Sequence, residues 1–99
     1  MEIKKSREGN ALVIALEGRL DTNTAPQLED ELRTALDGVG ELFFDLKDLV
    51  YISSAGLRVL LSAQKTMNRQ GQMTIRNVSP DIMEIFEVTG FVDILSIEA

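Results

Sequence analysis

The fold of this chain is decided by residues 42–77, LFFDLKDLVYISSAGLRVLLSAQKTMNRQGQMTIRN. Residues 42–46 are mostly apolar and residues 73–77 alternate apolar and polar side chains, and both patterns are typical of strands. Between them, residues 54–69 repeat apolar side chains every three or four positions, which predicts an amphipathic helix. Residues 47–53 are then a connection. A strand, a helix and a strand in this order predict a βαβ unit with two parallel strands.

The amino-terminal third adds a strand pair and a helix. Residues 12–16 are continuously apolar, which predicts a central strand covered on both faces. Residues 1–7 are its candidate hairpin partner. Thr24 and Gln27 have the spacing of a capping box, so a helix is expected to begin there and to stop at Gly38.

The carboxyl-terminal segment predicts one more helix and one more strand. Ser79 is a good N-cap, Pro80 suits the first helical position, and Gly90 is a helix stop. Residues 91–97 are then a candidate final strand. The alternation of strands and helices predicts an α/β fold: one domain over residues 1–99, with a small mixed β-sheet covered by three to four α-helices.

Composition excludes several function classes. The chain has 99 residues, 44% of them apolar and 26% charged, which is typical of a globular domain. It contains no Cys and no His, so thiolate nucleophiles, imidazole bases and Cys/His zinc sites are excluded, and we expect neither a metal nor a cofactor. A net charge of −6 opposes nucleic-acid binding. No apolar run suits a signal peptide or membrane insertion, so we expect a cytoplasmic protein.

The candidate functional segment is residues 51–57, YISSAGL, at the start of the central helix. In α/β sheets, functional contacts gather where strands end and helices begin. One serine suffices as an N-cap, yet two are adjacent here. Ala55 and Gly56 are small and leave backbone N–H groups accessible. Because the flanking loops contain Asp21, Asp45 and Asp48, a reversible covalent phosphate fits this segment better than a bound nucleotide.

Residues 45–61, DLKDLVYISSAGLRVLL, resemble the signature of the STAS family of bacterial anti-sigma factor antagonists. Residues 18–21, GRLD, resemble the family's second landmark, G-x-[IL]-D, and the resemblance spans the whole chain. It implies a non-enzymatic protein that binds an anti-sigma factor and thereby releases a sigma factor. That anti-sigma factor is often a serine kinase of the GHKL ATPase type. It switches the antagonist off by phosphorylation, and a PP2C-type phosphatase reverses the modification.

The resemblance also implies which residues act. The phosphate acceptor carried over from the family is Ser54. Ser53 stands where the family usually has Asp, and Ala55 where it usually has a second Ser, so Ser53 is the alternative acceptor. The residues expected to bind the partner are Asp21, Thr22, Asn23, Ser53, Ala55, Gly56 and Arg58.

Alternatives remain open for these residues and for the function. Asp21 also suits an Asx turn, and Arg58 a solvated surface position. Asp45 and Asp48 suit a strand end and a turn better than a metal-binding carboxylate pair. The protein could instead be a STAS subunit of a stressosome or membrane-transport complex that is never phosphorylated. A hydrolase with Ser54 as nucleophile would need a base that the chain lacks.

Overall fold

The structure, a computed structural model, describes residues 1–98. Its elements in chain order are β1 (Glu2–Glu8), β2 (Ala11–Leu20), α1 (Ala25–Ala35), β3 (Glu41–Ile52), α2 (Ser54–Gln70), β4 (Gln72–Arg76) and α3 (Pro80–Thr89), followed by a 3-10 turn at Phe91–Asp93. This is the predicted α/β fold with a small mixed sheet and three α-helices.

The four strands form one sheet in the order β1-β2-β3-β4. β1 and β2 are antiparallel and form the predicted hairpin, while β2 with β3 and β3 with β4 are parallel. The βαβ prediction for β3, α2 and β4 is therefore confirmed. Because β2 and β3 are adjacent and parallel, their carboxyl ends lie side by side at one edge of the sheet.

The core lies on one face of the sheet. Leu12, Ile14 and Leu16 of β2 are buried, while Val13 and Ala15 between them are only half-buried. The helices contribute apolar side chains to the same core. On β3 and β4, the buried face carries Leu42, Phe44, Met73 and Ile75.

The prediction that residues 12–16 are covered on both faces is wrong. Within residues 1–98 no helix covers the outer face, where Val13 and Ala15 remain half-buried. On the same face of β3, the Arg76 guanidinium lies 3.9 Å above the centre of the Phe43 ring. A continuous apolar run can therefore belong to a strand with one open face, because partly exposed positions also accept apolar side chains.

Helices α2 and α3 follow their predicted apolar stripes, and α3 has its predicted caps. In α2, Gly56, Val59, Leu60, Ala63 and Met67 are all buried. In α3, the Ser79 hydroxyl accepts a hydrogen bond from the Ile82 N–H, Pro80 opens the helix, and Gly90 ends it in the left-handed conformation. None of the helices within residues 1–98 is long and apolar enough to cross a membrane.

β3 continues through residues 47–52, which the sequence assigns to a connection. Its pairing with β2 slips twice. At the first slip, Ala15 pairs with Asp45, but the next pair is Glu17 with Asp48. At the second slip, Gly18 pairs with Leu49, but Arg19 pairs with Tyr51.

Each slip leaves one extra residue in β3, which is a β-bulge. The buried residues Leu46, Leu49 and Ile52 consequently recur every three positions. A regular strand buries every second residue. The prediction of a connection is wrong because the bulges remove the alternation by which a strand is recognised.

The predicted final strand at residues 91–97 is also wrong. The chain continues from α3 into the 3-10 turn, where the Phe91 carbonyl accepts from the Ile94 and Leu95 N–H groups. Only a single bridge remains, between Ile97 and Ile75 of β4. Local turn hydrogen bonds use the backbone groups that a longer strand would need.

The one-sided core can be tested with two adjacent phenylalanines. Phe44 is fully buried in the core, while Phe43 lies on the outer face. We expect Phe44→Ala to lower the free energy of unfolding by about 3–5 kcal/mol because it leaves a cavity. Phe43→Ala should cost about 1 kcal/mol, mostly through the lost arginine stacking and partial burial. Urea unfolding of both variants measures the difference, and equal losses would contradict a single core.

Candidate functional site

The two loops singled out by sequence meet at the carboxyl edge of the sheet. Leu20 pairs with Ile52 at the ends of β2 and β3, and the Ser53 N–H donates to the Leu20 carbonyl at 2.9 Å. The loop after β2 therefore lies beside the start of α2. We call residues 20–24 and 52–58 together the serine edge.

The two serines of this edge have different environments. Ser53 is the N-cap of α2, and its hydroxyl accepts a hydrogen bond from the Gly56 N–H at 3.5 Å. Ser54 is the first residue of the helix and is exposed. Its hydroxyl makes no hydrogen bond to any other part of residues 1–98. One hydroxyl is thus used in capping, while the other faces outward.

Gly56 lies under the serine edge and is buried. A Cβ atom at this position would lie 2.7 Å from Leu20 Cγ and 2.9 Å from Ile52 Cγ1. The first turn of α2 therefore rests directly on the ends of β2 and β3. Of the predicted partner-binding residues on α2, Gly56 supports the surface from below, Ala55 is half-buried and Arg58 is exposed.

The loop after β2 is organised by reciprocal hydrogen bonds. The Asp21 carboxylate accepts from the Asn23 N–H at 3.0 Å and from the Thr24 N–H at 3.1 Å, which is an Asx-type turn. Thr24 Oγ1 accepts from the Asp21 N–H at 2.9 Å and donates to the Arg19 carbonyl at 2.7 Å. Thr22 and Asn23 at the tip are exposed.

The predicted capping box of Thr24 and Gln27 is wrong. Thr24 precedes α1, but its hydroxyl makes no hydrogen bond to the helix. That hydroxyl is already engaged by the loop backbone. The Asp21 carbonyl instead accepts from the Ala25 N–H at 2.8 Å, so a backbone group takes over part of the capping.

Asp21 is charged at neutral pH. Partial burial raises the pKa of its carboxyl, but hydrogen bonds from Thr24 and Asn23 and the Arg19 guanidinium outweigh burial, so the net pKa is lowered. Within residues 1–98, all hydrogen bonds of this carboxylate go to its own loop, and none goes to Ser54. Asp21 therefore fixes the loop and places a negative charge near the serines.

Three residues beside the serine edge are not among the predicted partner-binding residues: Arg19, Val50 and Tyr51. The Arg19 guanidinium lies 4.3 Å above the centre of the Tyr51 ring, and Arg19 Nε is 3.7 Å from Asp21 Oδ2. Val50 and Tyr51 are 68% and 37% exposed, which is high for large apolar side chains. The sequence marks Val50 and Tyr51 only by their place between two apolar residues, Leu49 and Ile52, which the structure shows to be buried.

Of the remaining acidic candidates, Asp45 has a structural role, and Asp48 is exposed on β3. Asp45 Oδ1 accepts from the Lys47 N–H and from the Asn77 side-chain amide, each at 3.0 Å. Residues 1–98 contain no group of three or more side chains able to hold a metal ion. A groove of about 570 Å³ between α1 and α2 is lined by residues such as Leu32, Val59 and Ala63, and it includes no residue of the serine edge.

The close packing of α2 against the ends of β2 and β3 can be tested with Gly56→Ala. The added methyl group clashes with Leu20 and Ile52 at a cost of roughly 1–3 kcal/mol, while helix propensity returns up to about 1 kcal/mol. We therefore expect a net loss of about 1–2 kcal/mol in urea unfolding. Arg58→Ala, exposed on the same helix, is the matched control and should stay within about 0.5 kcal/mol of wild type. If Gly56→Ala left the free energy of unfolding unchanged, the contact between α2 and the two strand ends would not be tight.

The charge on Asp21 predicts a dependence on pH. Because its folded pKa is lowered, ionised Asp21 stabilises the fold above its unfolded pKa, and this contribution is lost as the pH falls through the folded pKa. Asp21→Asn keeps the acceptor oxygen but lacks the charge. The stability difference between wild type and Asp21→Asn should therefore be present at about pH 6 and shrink below about pH 4. Urea midpoints of both proteins across this range measure it, and a constant difference would argue against the lowered pKa.

Comparison with known proteins shows the family. The STAS domain family matches residues 2–99. The protein BtrV of Bordetella bronchiseptica is 35% identical over 99 residues, which are 98% of this chain and 85% of that protein. The anti-sigma-B factor antagonist of Bacillus subtilis is 31% identical over 91 residues, covering 91% of this chain and 84% of the relative.

The solved structures show the same fold. The crystal structure of an anti-sigma factor antagonist from Mycobacterium paratuberculosis superposes with a TM-score of 0.87, covering 97% of this chain and 83% of that one at 20% identity. The predicted mixed sheet with helices is confirmed by this likeness. With a family match over nearly its full length and relatives above 30% identity, this chain belongs to the STAS domain family.

Proposed function

We propose that this protein is an anti-sigma factor antagonist regulated by phosphorylation at Ser54. In its unphosphorylated form it binds an anti-sigma factor that is also a serine kinase of the GHKL ATPase type, and a sigma factor is released. Phosphorylation ends this binding, and a PP2C-type phosphatase restores it. Support comes from membership in the STAS family and from the relative named as an anti-sigma-B factor antagonist. Since the kinase uses ATP, the exchange belongs in the cytoplasm.

The observation that carries the proposal is the difference between the two serine hydroxyls. A kinase must bring the γ-phosphate of ATP to an accessible hydroxyl. Ser54 is exposed and makes no hydrogen bond within the described residues, whereas the Ser53 hydroxyl caps α2 through the Gly56 N–H. Modifying Ser53 would also replace the hydroxyl that caps α2. Ser54 is therefore the favoured acceptor, and Ser53 the less favoured one.

A phosphate on Ser54 is compatible with the fold. It would stand at the start of α2, where the first turn contains no acidic side chain. The helix dipole and the free N–H groups of the first turn favour a negative charge there by about 0.3–1 kcal/mol. Phosphorylation should therefore leave the domain folded, and its effect must be exerted on binding.

Binding is expected to be sensitive to this phosphate because it adds negative charge to the proposed contact surface. The modification adds about −1.5 to −2 charge, next to a loop in which Asp21 is ionised. Enclosing such a charge against a partner carboxylate, or away from water, opposes association. The expected result is a small structural change and a large loss of affinity.

The proposed partner surface is the exposed part of the serine edge. It comprises Asp21, Thr22 and Asn23 from one loop and Ser53, Ala55 and Arg58 at the start of α2, with Gly56 as support beneath. These side chains lie outside the α1–α2 groove, so this edge offers a surface for a protein rather than an enclosed cavity for a small molecule. We accordingly propose that residues 1–99 act as one non-enzymatic binding domain.

The proposal predicts which hydroxyl is phosphorylated. The test incubates the protein with ATP and the kinase that co-purifies with it from the native host, and intact mass is measured. Wild type and Ser53→Ala should each gain one phosphate, while Ser54→Ala should gain none. The phosphorylated protein should then bind that kinase at least about 10-fold more weakly in titration calorimetry, a difference of about 1.4 kcal/mol.

Two outcomes would contradict it. Phosphorylation of Ser54→Ala would move the acceptor elsewhere. Equal affinity of the modified and unmodified proteins would remove the regulatory role of the phosphate. A partner that binds tightly but never phosphorylates the protein would instead support the alternative of an unmodified STAS subunit in a larger complex.

A further inference from the structure

The second bulge of β3 exposes two apolar side chains beside the serine edge loops. Val50 is the extra residue of the slip between Leu49 and Tyr51, so it has no partner in β2. It is 68% exposed, and Tyr51 beside it is 37% exposed. Bulges often re-aim side chains next to functional sites. Here the bulge presents an apolar pair shortly before Ser54 in the chain.

The Tyr51 ring is held in place by its neighbours. Arg19 stacks on it and is paired with Asp21, whose carboxylate is fixed by the Asn23 and Thr24 amides. A continuous series of contacts thus joins the exposed ring to the loop beside Ser54. A side chain ordered before binding loses less conformational entropy when the partner arrives.

Arg19 has hydrogen-bonding capacity left. A guanidinium carries five N–H donors. The only polar contact of the Arg19 head group within residues 1–98 is the 3.7 Å ion pair with Asp21, which is longer than a hydrogen bond. The side chain is 60% exposed. Its remaining donors can therefore reach an acceptor on another molecule.

The size of a protein interface indicates that the surface must extend beyond the two loops. A standard interface uses about 20–30 residues and 800 Å² on each side, about one-seventh of the 5654 Å² surface of this protein. The seven predicted residues include the buried Gly56 and cannot supply this area alone. Adjacent exposed apolar surface is needed.

Val50 and Tyr51 are the exposed large apolar residues next to that edge. The others in the described chain are Val88, Val92 and Ile94. α3 begins at Pro80, just after β4 ends, and Val88 lies near its far end. At 1.5 Å per residue, about 12 Å of helix separates Val88 from the start of α3. Val88 therefore lies away from the carboxyl edge of the sheet, and Val92 and Ile94 follow α3 in the chain.

We propose that Arg19, Val50 and Tyr51 form the second half of the surface that binds the anti-sigma kinase, an inference that rests on the proposed function. Val50 and the Tyr51 ring enter an apolar recess of the partner, and Arg19 donates to a carboxylate at the margin of that recess. Tyr and Arg are the residue types most often found to dominate binding energy at interfaces. Ser54 then controls binding, while Tyr51 provides affinity.

Photo-cross-linking in extracts of the native host tests this contact and identifies the partner in the same experiment. Three variants carry the photoreactive residue singly: Tyr51→p-benzoylphenylalanine, Thr22→p-benzoylphenylalanine and, as a remote control, Val88→p-benzoylphenylalanine. We expect positions 51 and 22 to cross-link the same protein, identified by mass spectrometry as one with a GHKL ATPase domain. Position 88 should not cross-link it.

Each other outcome is decisive. A kinase cross-linked from position 22 but not from position 51 would overturn this inference and leave the proposed function standing. No kinase from either position would overturn both. If position 88 cross-linked the same kinase as efficiently as position 51, contact would not be confined to this part of the surface. That result would also overturn the inference.

Measured affinities for the cross-linked kinase then show how much the Tyr51 ring and the Arg19 charge each contribute to binding. Tyr51→Ala should weaken binding by at least about 10-fold, while Tyr51→Phe, which keeps the ring, and Val88→Ser should each change it less than about 2-fold. Arg19→Gln should weaken binding and should also lower its dependence on salt. Circular dichroism confirms that each variant is folded. Wild-type affinity of a folded Tyr51→Ala would overturn the inference.

Discussion

The serine edge depends on one close contact, that between the first turn of α2 and the ends of β2 and β3. Only a residue without a side chain fits between the helix and Leu20 and Ile52, and Gly56 occupies that place. The contact sets the depth at which α2 begins and so brings Ser54 beside the loop that contains Asp21. A helix that began further from the sheet would separate the two loops, and a phosphate on Ser54 would no longer lie beside Asp21.

Two adjacent serines allow capping and regulation to be separated. An N-cap hydroxyl is engaged with the backbone, so a modification there would change the stability of the helix as well as its charge. With Ser53 as cap, Ser54 can change charge while the helix start keeps its hydrogen bonds. This division of roles between the two serines explains why a phosphate on Ser54 should cost the fold little stability and yet change binding strongly.

Much of this architecture is predictable from sequence, because helix stripes, caps and turn glycines are local signals. The βαβ unit, the hairpin and the Ser79 cap all follow from residue spacing. The end of β3 does not, since its bulges depend on pairing with β2 and replace alternation with a spacing of three. The same bulges place Tyr51 against Arg19, so the stacked pair could not be found from either residue alone. The capping role predicted for Thr24 is wrong because its hydroxyl hydrogen-bonds to the backbone of Asp21 and Arg19 in the loop.

The bridge at Ile97 covers part of one border of the sheet, at Ile75 of β4. Both backbone groups of Ile75 are taken, its N–H by Ser96 and its carbonyl by Glu98. At the opposite border, β1 carries charged side chains such as Lys4 and Lys5, which discourage pairing with another strand. The sheet is thereby protected against growth by strand addition and against edge-to-edge aggregation. Recognition of this domain is left to side chains, where the charge of one phosphate can decide the outcome.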